Sequence, residues 1–184
     1  MIDGLYQVTT SYFCAGFIIK DGVLVHCAPI LRKKFDHWKN IAKLIQPKMK
    51  VIVAGGRDCN DYELVKKTLD NILKNVKEVT IVSGACSTGV KTFTRPDGTS
   101  VCGADGLGEK YAAERGYTVE VYPANWAGLG KAAGFIRNQE MANACTPAVD
   151  GCVCFWDGQS RGTEHMARVA TIRGLKIRLK RYGK

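Results

Sequence analysis

From Met49 onward, short apolar segments rich in β-branched residues alternate with segments whose apolar residues recur at helical spacing. The strand-like segments cover residues 51–54, 78–83, 118–122, 151–156 and 175–180. Strands that are each separated by a helix pair in parallel through right-handed crossovers. The sequence therefore predicts an α/β domain built on a doubly wound parallel sheet of about five strands. In such sheets, ligands bind beyond the carboxyl ends of the strands.

Helices are predicted between these strands, and capping residues indicate where several of them begin or end. Asn60 and Glu63 have the spacing of a capping box at the start of the first helix. The second helix is predicted from about Asp105 to Arg115, and Gly116 is a typical residue to end it. Two further helices are predicted over residues 131–144 and from the turn at 157–163 to about residue 172.

Residues 1–48 follow a different pattern and are predicted to form an N-terminal extension. Residues 6–10 are strand-like, and residues 17–26 contain a central Asp-Gly pair that favours a tight β-hairpin. Apolar residues over 35–45 recur at helical spacing. A hairpin with one helix buries too little apolar surface to be stable alone. We therefore expect it to pack on the main domain, residues 49–184, or on a second subunit of a dimer or larger homo-oligomer.

Charge and cysteine content narrow the possible partners and cofactors. The net charge of +10 comes from the two ends of the chain, since residues 51–172 carry 13 basic and 14 acidic side chains. The basic ends are either solvated faces or a surface that attracts nucleic acid or other anions. The eight cysteines include no Cys-x-x-Cys pair, so no metal site is predicted. Without an export signal or a long apolar run, we expect a cytoplasmic protein with reduced thiols.

A stretch of 17 residues, 86–102, separates the end of the second strand from the glycine-rich residues 103–108 at the mouth of the next helix. Within it, residues 91–101 have the pattern of a small protruding hairpin. Connections of this length in compact domains usually serve a function. We interpret residues 86–102 as an insertion that acts as a lid or as an oligomer contact.

Small, polar and basic residues collect at the predicted ligand-binding edge. Glycines leave backbone N–H groups open to an anion, and arginine can clamp a phosphate with two hydrogen bonds. Several of these side chains could instead have a purely structural role. Asp105, Ser160 and Thr163 could cap helices, Arg57 and Arg137 could form structural ion pairs, and Trp126 could pack in the core. The candidate ligand-binding residues are Gly55, Gly56, Arg57, Ser83, Gly84, Gly103, Ala104, Asp105, Asn125, Trp126, Arg137, Asn138, Asp157, Ser160, Arg161, Gly162 and Thr163.

The order and spacing of these motifs over residues 50–179 resemble the SLOG superfamily, specifically its YspA-like branch. The matching motifs are Gly55-Gly56-Arg57, Ser83-Gly84, Gly103-Ala104-Asp105, Pro123-Ala124-Asn125-Trp126, Arg137-Asn138 and Gly162-Thr163 with Met166. The resemblance implies a Rossmann-like fold that binds nucleotides or nucleotide-derived molecules. It also implies a possible phage origin, because such domains are frequent in conflicts between phages and bacteria.

One departure from the enzymes of the superfamily bears on catalysis. The resemblance to the LONELY GUY phosphoribohydrolases aligns Met166 with their catalytic glutamate, although Arg137 matches their arginine. A thioether cannot carry a proton as a carboxylate does. If the protein were nevertheless an enzyme, Arg137, Glu140 and Glu164 would be its candidate catalytic residues, with Asp157 as a further carboxylate.

Three functional hypotheses follow from the sequence. The first is a sensor or sequestering protein for an NAD-derived, ADP-ribose-type or cyclic nucleotide signal, with no further cofactor. The second is a hydrolase that cleaves an N-glycosidic or phosphate bond of a nucleotide. The third is a nucleic-acid-binding protein that uses the basic ends, although no recognised nucleic-acid motif accompanies the charge.

Overall fold

The computed structural model describes the backbone of residues 4–10, 13–20, 23–27 and 48–183, and the side chains of residues 48–183. It divides the chain into two compact units, residues 1–47 and 48–184.

The first unit contains an antiparallel sheet of three strands in the order β1-β2-β3. Its strands are β1 (Gly4–Thr10), β2 (Phe13–Lys20) and β3 (Val23–Cys27). Lys20 pairs with Val23, as the predicted hairpin requires. A third strand, β1, pairs with β2 along its whole length. The predicted helix over 35–45 lies outside the described residues.

The second unit is a five-stranded parallel sheet with helices between its strands, as predicted. Its strands are β4 (Lys48–Gly55), β5 (Glu78–Ser83), β8 (Thr118–Val121), β9 (Gly151–Trp156) and β10 (Lys176–Arg181). The order across the sheet is β10-β9-β4-β5-β8, and every neighbouring pair is parallel.

The helices that connect these strands form two layers. They are α1 (Tyr62–Leu73), α2 (Gly103–Arg115), the short α3 (Trp126–Leu129), α4 (Ala133–Asn143) and α5 (Arg161–Ile172). A 3₁₀ turn, Gly130–Ala132, links α3 to α4. Since side chains alternate along a strand, β4 sends Val51 and Val53 into a core with α1 and α2, and Ile52 and Ala54 into a core with α4 and α5.

The chain direction reverses around β4, which places a ligand-binding crevice next to it. From β4 the chain proceeds to β5 and β8 on one side, then returns to β9 and β10 on the other. The carboxyl ends of β4 and β9 therefore flank the topological switch point. The backbones approach so closely there that a Cβ on Gly55 would clash with the carbonyl oxygen of Phe155.

Several predicted boundaries change in the structure. Asp61, and not Asn60, caps α1, because its Oδ1 accepts the N–H of Leu64 at 2.9 Å. The second helix begins at Gly103, two residues earlier than predicted, where the backbone adopts φ +59°. The short helix α3 and the 3₁₀ turn after it were not predicted from the sequence.

The insertion forms an antiparallel hairpin of β6 (Lys91–Thr94) and β7 (Ser100–Cys102), in agreement with the sequence pattern. It does not protrude as expected. The hydroxyl of Thr92 donates to the carbonyl of Gly103 at 2.8 Å, and Arg95 forms an ion pair with Glu109 on α2. The hairpin is therefore attached along α2.

Candidate functional site

A pocket of about 170 Å³ opens at the carboxyl edge of the sheet, between the ends of β4 and β9 and the starts of α4 and α5. Its floor is apolar, formed by Ala54, Met141 and Met166. Nine of the predicted ligand-binding residues line it, namely Gly55, Arg57, Asp105, Trp126, Arg137, Asn138, Ser160, Gly162 and Thr163. The pocket thus joins cationic and aromatic groups over an apolar floor.

The N-terminus of α5 forms one wall of the pocket. Ser160 caps the helix, because its Oγ accepts the N–H of Thr163 at 3.3 Å and the Thr163 hydroxyl at 3.0 Å. Asp157 Oδ1 accepts the N–H groups of Gln159 and Ser160, which fixes the turn before the helix. The Ser160 hydroxyl is therefore the cap, and the Thr163 hydroxyl donates to it.

The remaining first-turn N–H groups of α5 make this wall attractive to an anion. The N–H groups at the start of a helix have no acceptor within it and carry its positive dipole end. Gly162 lies there, and a Cβ added to it would meet no atom within 4 Å. The wall therefore offers backbone donors beside open space.

Arg137 on α4 forms the opposite wall with the buried carboxylate of Asp105. Its Nη1 lies 3.5 Å from Asp105 Oδ2, and its side chain is 17% exposed. Arg137 Nε is buried and has no hydrogen-bond partner among the described residues. Gly84 leaves space for the guanidinium, since an added Cβ would overlap it. A buried donor without an acceptor is unfavourable unless a ligand or water supplies one.

The environment of Asp105 disfavours its ionised form. Burial raises the pKa of this carboxyl above its ordinary value, while the charge of Arg137 and a hydrogen bond from the N–H of Cys86 oppose the rise. That N–H donates to Asp105 Oδ2 at 3.1 Å. Asp105 is therefore a partner of Arg137 inside the pocket, and neither oxygen serves as a cap for α2.

The mouth of the pocket is aromatic. The Trp126 ring is 48% exposed, and the guanidinium of Arg57 lies 5.7 Å from its centroid. Phe135 makes an edge contact with the His165 ring, with centroids 4.6 Å apart. Burial and the nearby charge of Arg168 lower the pKa of His165. Trp126 is therefore about half exposed at the entrance, with a guanidinium over its ring, and does not belong to the core.

Other predicted site residues hold the fold around the pocket. Asn138 Nδ2 donates to the Gly162 carbonyl at 3.0 Å, which joins α4 to α5. Asn125 caps α3 through the N–H of Gly128. Ser83 is fully buried, and its hydroxyl donates to Glu109 at 2.6 Å.

The glycine-rich start of α2 has protein acceptors for its N–H groups. The N–H of Gly103 donates to the carbonyl of Val90, and that of Ala104 donates to the carbonyl of Gly56. These donors are therefore used within the fold, in contrast to those of α5. Gly56, Gly103 and Ala104 pack the backbone at this edge, and we do not place phosphate on them.

The remaining predicted residues lie away from the pocket. Arg161, Glu140 and Glu164 are exposed, and none of the three is among the described residues that line it. Among the described residues, Asp105 therefore supplies the only carboxylate that lines the pocket.

Sequence reasoning missed some pocket residues and one buried network. Lys131, Phe135 and Cys86 also line the pocket. The signal of Cys86 and Phe135 was weak because neither belongs to a motif. Glu109 is 2% exposed and paired with Arg95, and its only sequence signal is a position one helical turn after Asp105.

Residues 48–183 contain neither a cluster of metal ligands nor a helix that could span a membrane. No group of three His, Cys, Asp or Glu residues in this part of the chain has the arrangement of a metal site. Cys152 and Cys154 are buried with their sulfur atoms 3.6 Å apart, in keeping with core packing. None of the described helices combines the length and apolarity that crossing a membrane requires.

Comparison with known proteins finds one matching family and one similar phage protein. The family described as YspA, cpYpsA-related SLOG matches residues 49–95, which cover β4, α1, β5 and the start of the insertion. The match confirms, over residues 49–95, the resemblance to the SLOG superfamily that the sequence predicts. Gene 61 protein of Mycobacterium phage D29 is 36% identical over 80 residues, which cover 41% of this chain and 62% of that relative. No solved structure matches the chain. The matched segment includes Gly55 and Arg57 at the end of β4.

Proposed function

We propose that this SLOG domain binds a nucleotide-derived small molecule, with its phosphate held between the N-terminus of α5 and Arg137. The observation that carries the proposal is the buried Nε of Arg137, which has no hydrogen-bond partner among the described residues. An anionic oxygen in the pocket would supply the missing acceptor. Membership of the SLOG family supports a nucleotide-related ligand.

The pocket suits the phosphate end of such a ligand better than a whole dinucleotide. Its volume of about 170 Å³ lies below the roughly 300 Å³ at which pockets for complete drug-sized ligands begin. Lys131 and Arg57 at its rim add positive charge. The base would then lie at the mouth, where the exposed face of Trp126 is available for stacking, a contact worth about 1–3 kcal/mol per base.

Among the described residues, the only carboxylate that lines the pocket is that of Asp105, and it is paired with Arg137. Glu140 and Glu164 are exposed, and Asp157 accepts two backbone N–H groups in a turn. Met166 forms part of the apolar floor. These observations favour a protein that holds its ligand unchanged, as a sensor or a sequestering protein, over one that cleaves it.

The biological setting is also a proposal. A mycobacteriophage relative supports a role in the host cytoplasm during conflict between phage and bacterium. The signal would be of the ADP-ribose, NAD or cyclic nucleotide type. We further infer a homo-oligomer, because a small N-terminal sheet gains stability from packing against another surface. A light-scattering mass equal to one chain would contradict that inference.

Isothermal titration calorimetry with ADP-ribose, NAD, AMP and cyclic AMP tests the proposal. We expect at least one of these compounds to bind the wild-type protein and to bind Arg137→Met at least tenfold more weakly. The bound compound is then recovered after denaturation and analysed by chromatography. Recovery of unchanged compound supports binding alone, whereas a cleaved product supports the hydrolase. Absence of binding by all four compounds contradicts the proposal.

A further inference from the structure

The insertion hairpin contributes one side chain to a buried ionic network. Arg95 contacts Glu109 through two hydrogen bonds, from Nε to Oε2 and from Nη2 to Oε1, each 2.7 Å long. The Glu109 side chain is 2% exposed and that of Arg95 is 22% exposed. The Ser83 hydroxyl also donates to Glu109 Oε1, at 2.6 Å. Arg95 is thus the only cation paired with this carboxylate among the described residues.

The network continues into the ligand pocket. Glu109 follows Asp105 by one turn on α2, so the two carboxylates lie on the same helix face. Asp105 is buried and paired with Arg137. The chain after β5 contacts Asp105 directly, because the N–H of Cys86 donates to it. It reaches Glu109 only through Ser83, whose hydroxyl accepts the N–H of Ala85 and donates to Glu109.

Asp105 and Glu109 are buried one helical turn apart, so each needs a cation nearby if both are to stay ionised. Like charges a helical turn apart disfavour each other's ionised form, and burial increases the effect. The negative charge of Glu109 raises the pKa of Asp105, in addition to the larger effect of burial, while Arg137 lowers it. Arg95 and Arg137 therefore balance the pair from opposite sides, one from the insertion and one from the pocket.

Few other ionisable groups face this pair. The thiol of Cys86 lines the pocket, and the pKa of the Cys102 thiol is raised by burial and by the charges of Cys86 and Asp105. Lys131 and Arg57 line the pocket beyond Arg137. On the hairpin side, Asp97 interacts with Arg95.

We propose that Arg95 is a positioning residue of the ligand site: by neutralising Glu109 it lets Asp105 keep its charge and hold Arg137 in place. The insertion hairpin thereby sets the charge that the pocket presents to an anion. The consequence for ligand binding rests on the proposed function, whereas the coupling between Arg95 and Asp105 does not. Detaching the hairpin would leave one guanidinium for two buried acids.

The coupling is tested without ligand, by following the carboxyl ¹³C shifts of Asp105 and Glu109 against pH by NMR. In Arg95→Met we expect the pair to retain a proton to higher pH, with an upward shift of about one pH unit or more, or tenfold in proton affinity. Arg95→Lys, which keeps a cation, should stay close to wild type. Lys91→Met removes an exposed cation from the same hairpin and should leave the titration unchanged.

A double variant separates the electrostatic role from a purely structural one. Arg95→Met/Glu109→Gln lacks both partners, so Asp105 should titrate at or below its wild-type pH. If Arg95→Met does not fold, this double variant alone decides the question. An unchanged titration in Arg95→Met, or a raised titration of Asp105 in the double variant, would overturn the proposal.

ADP-ribose titrations at several pH values then test the consequence for binding. Anion affinity should change with pH as Asp105 ionises, and the midpoint of this change should lie at higher pH in Arg95→Met than in wild type. A shifted NMR titration without ADP-ribose binding supports the coupling and counts against ADP-ribose as the ligand. Binding with an unshifted pH profile keeps the proposed function and overturns the role of Arg95.

Discussion

Replacing Gly84 by alanine should displace Arg137 without changing any group that contacts a ligand directly. Gly84 is buried at the end of β5, and an added Cβ would overlap Nη1 and Cζ of Arg137 and approach Asp105 Oδ2 to 2.9 Å. Carbon atoms in ordinary contact lie about 3.5–4.0 Å from their neighbours. The guanidinium must therefore retreat by about 2 Å, which is farther than a hydrogen bond to a fixed phosphate can stretch.

The magnitude follows from the contact that is lost. A hydrogen bond to a charged group contributes about 1.5–3 kcal/mol. At about 1.4 kcal/mol for each factor of ten, Gly84→Ala should weaken binding by roughly 10- to 150-fold. The backbone of Gly84 does not have a positive φ, so alanine suits its conformation.

Calorimetry with ADP-ribose and urea unfolding of the same samples measure both effects. Gly183→Ala is the matched control, because its added Cβ meets no atom within 4 Å and its φ is not positive. The control should bind as the wild type does. If Gly84→Ala bound ADP-ribose with wild-type affinity while the wild type bound it, Arg137 would not be the phosphate clamp.

Three further predictions concern other parts of the domain. Gly162→Ala should leave the free energy of unfolding unchanged or raise it by up to about 1 kcal/mol, since alanine favours a helix. It should nevertheless weaken ADP-ribose binding in calorimetry, because its methyl group would enter the space beside the N-terminus of α5 where the anion binds. Asp150→Ala should lower the free energy of unfolding in urea by about 2–4 kcal/mol, because this buried carboxylate accepts the N–H groups of Lys50 and Thr146 at 2.7 Å each. Alkylation of Cys86 by iodoacetamide, followed by peptide mass spectrometry, should slow when ADP-ribose is bound, because Cys86 lines the pocket; equal rates with and without bound ADP-ribose would contradict this.

The sheet and the position of the pocket follow from the sequence for simple physical reasons. Alternating strands and helices permit only parallel pairing, and parallel strands bring their carboxyl ends to one edge. Arg57 and Gly162 are far apart in the chain, and this rule placed them together. Arg137 lies within α4, and its prediction rested on the resemblance of Arg137-Asn138 to a SLOG motif. The start of α5 was predicted because Ser160 and Thr163 have the pattern of a capped helix.

The sequence does not show which of the two helix starts, that of α2 or that of α5, keeps its N–H groups free to bind an anion. Gly103 is the first residue of α2, and Gly162 is the second residue of α5. The N–H of Gly103 finds the carbonyl of Val90, which the insertion brings to it, whereas Gly162 faces open space. The pairing of Arg95 with Glu109 likewise depends on how the hairpin lies along α2, and no local pattern encodes that contact.

The central claim is that an anion occupies the space between α5 and Arg137, and an NMR titration with ADP-ribose tests it most directly. The amide signals of Arg161 and Gly162 and the Nε–H signal of Arg137 should shift together, with one dissociation constant. Shifts confined to the exposed cations of β10, such as Lys176 and Arg178, would indicate a nonspecific basic surface. That result, or shifts elsewhere that leave Arg137 unchanged, would contradict the account.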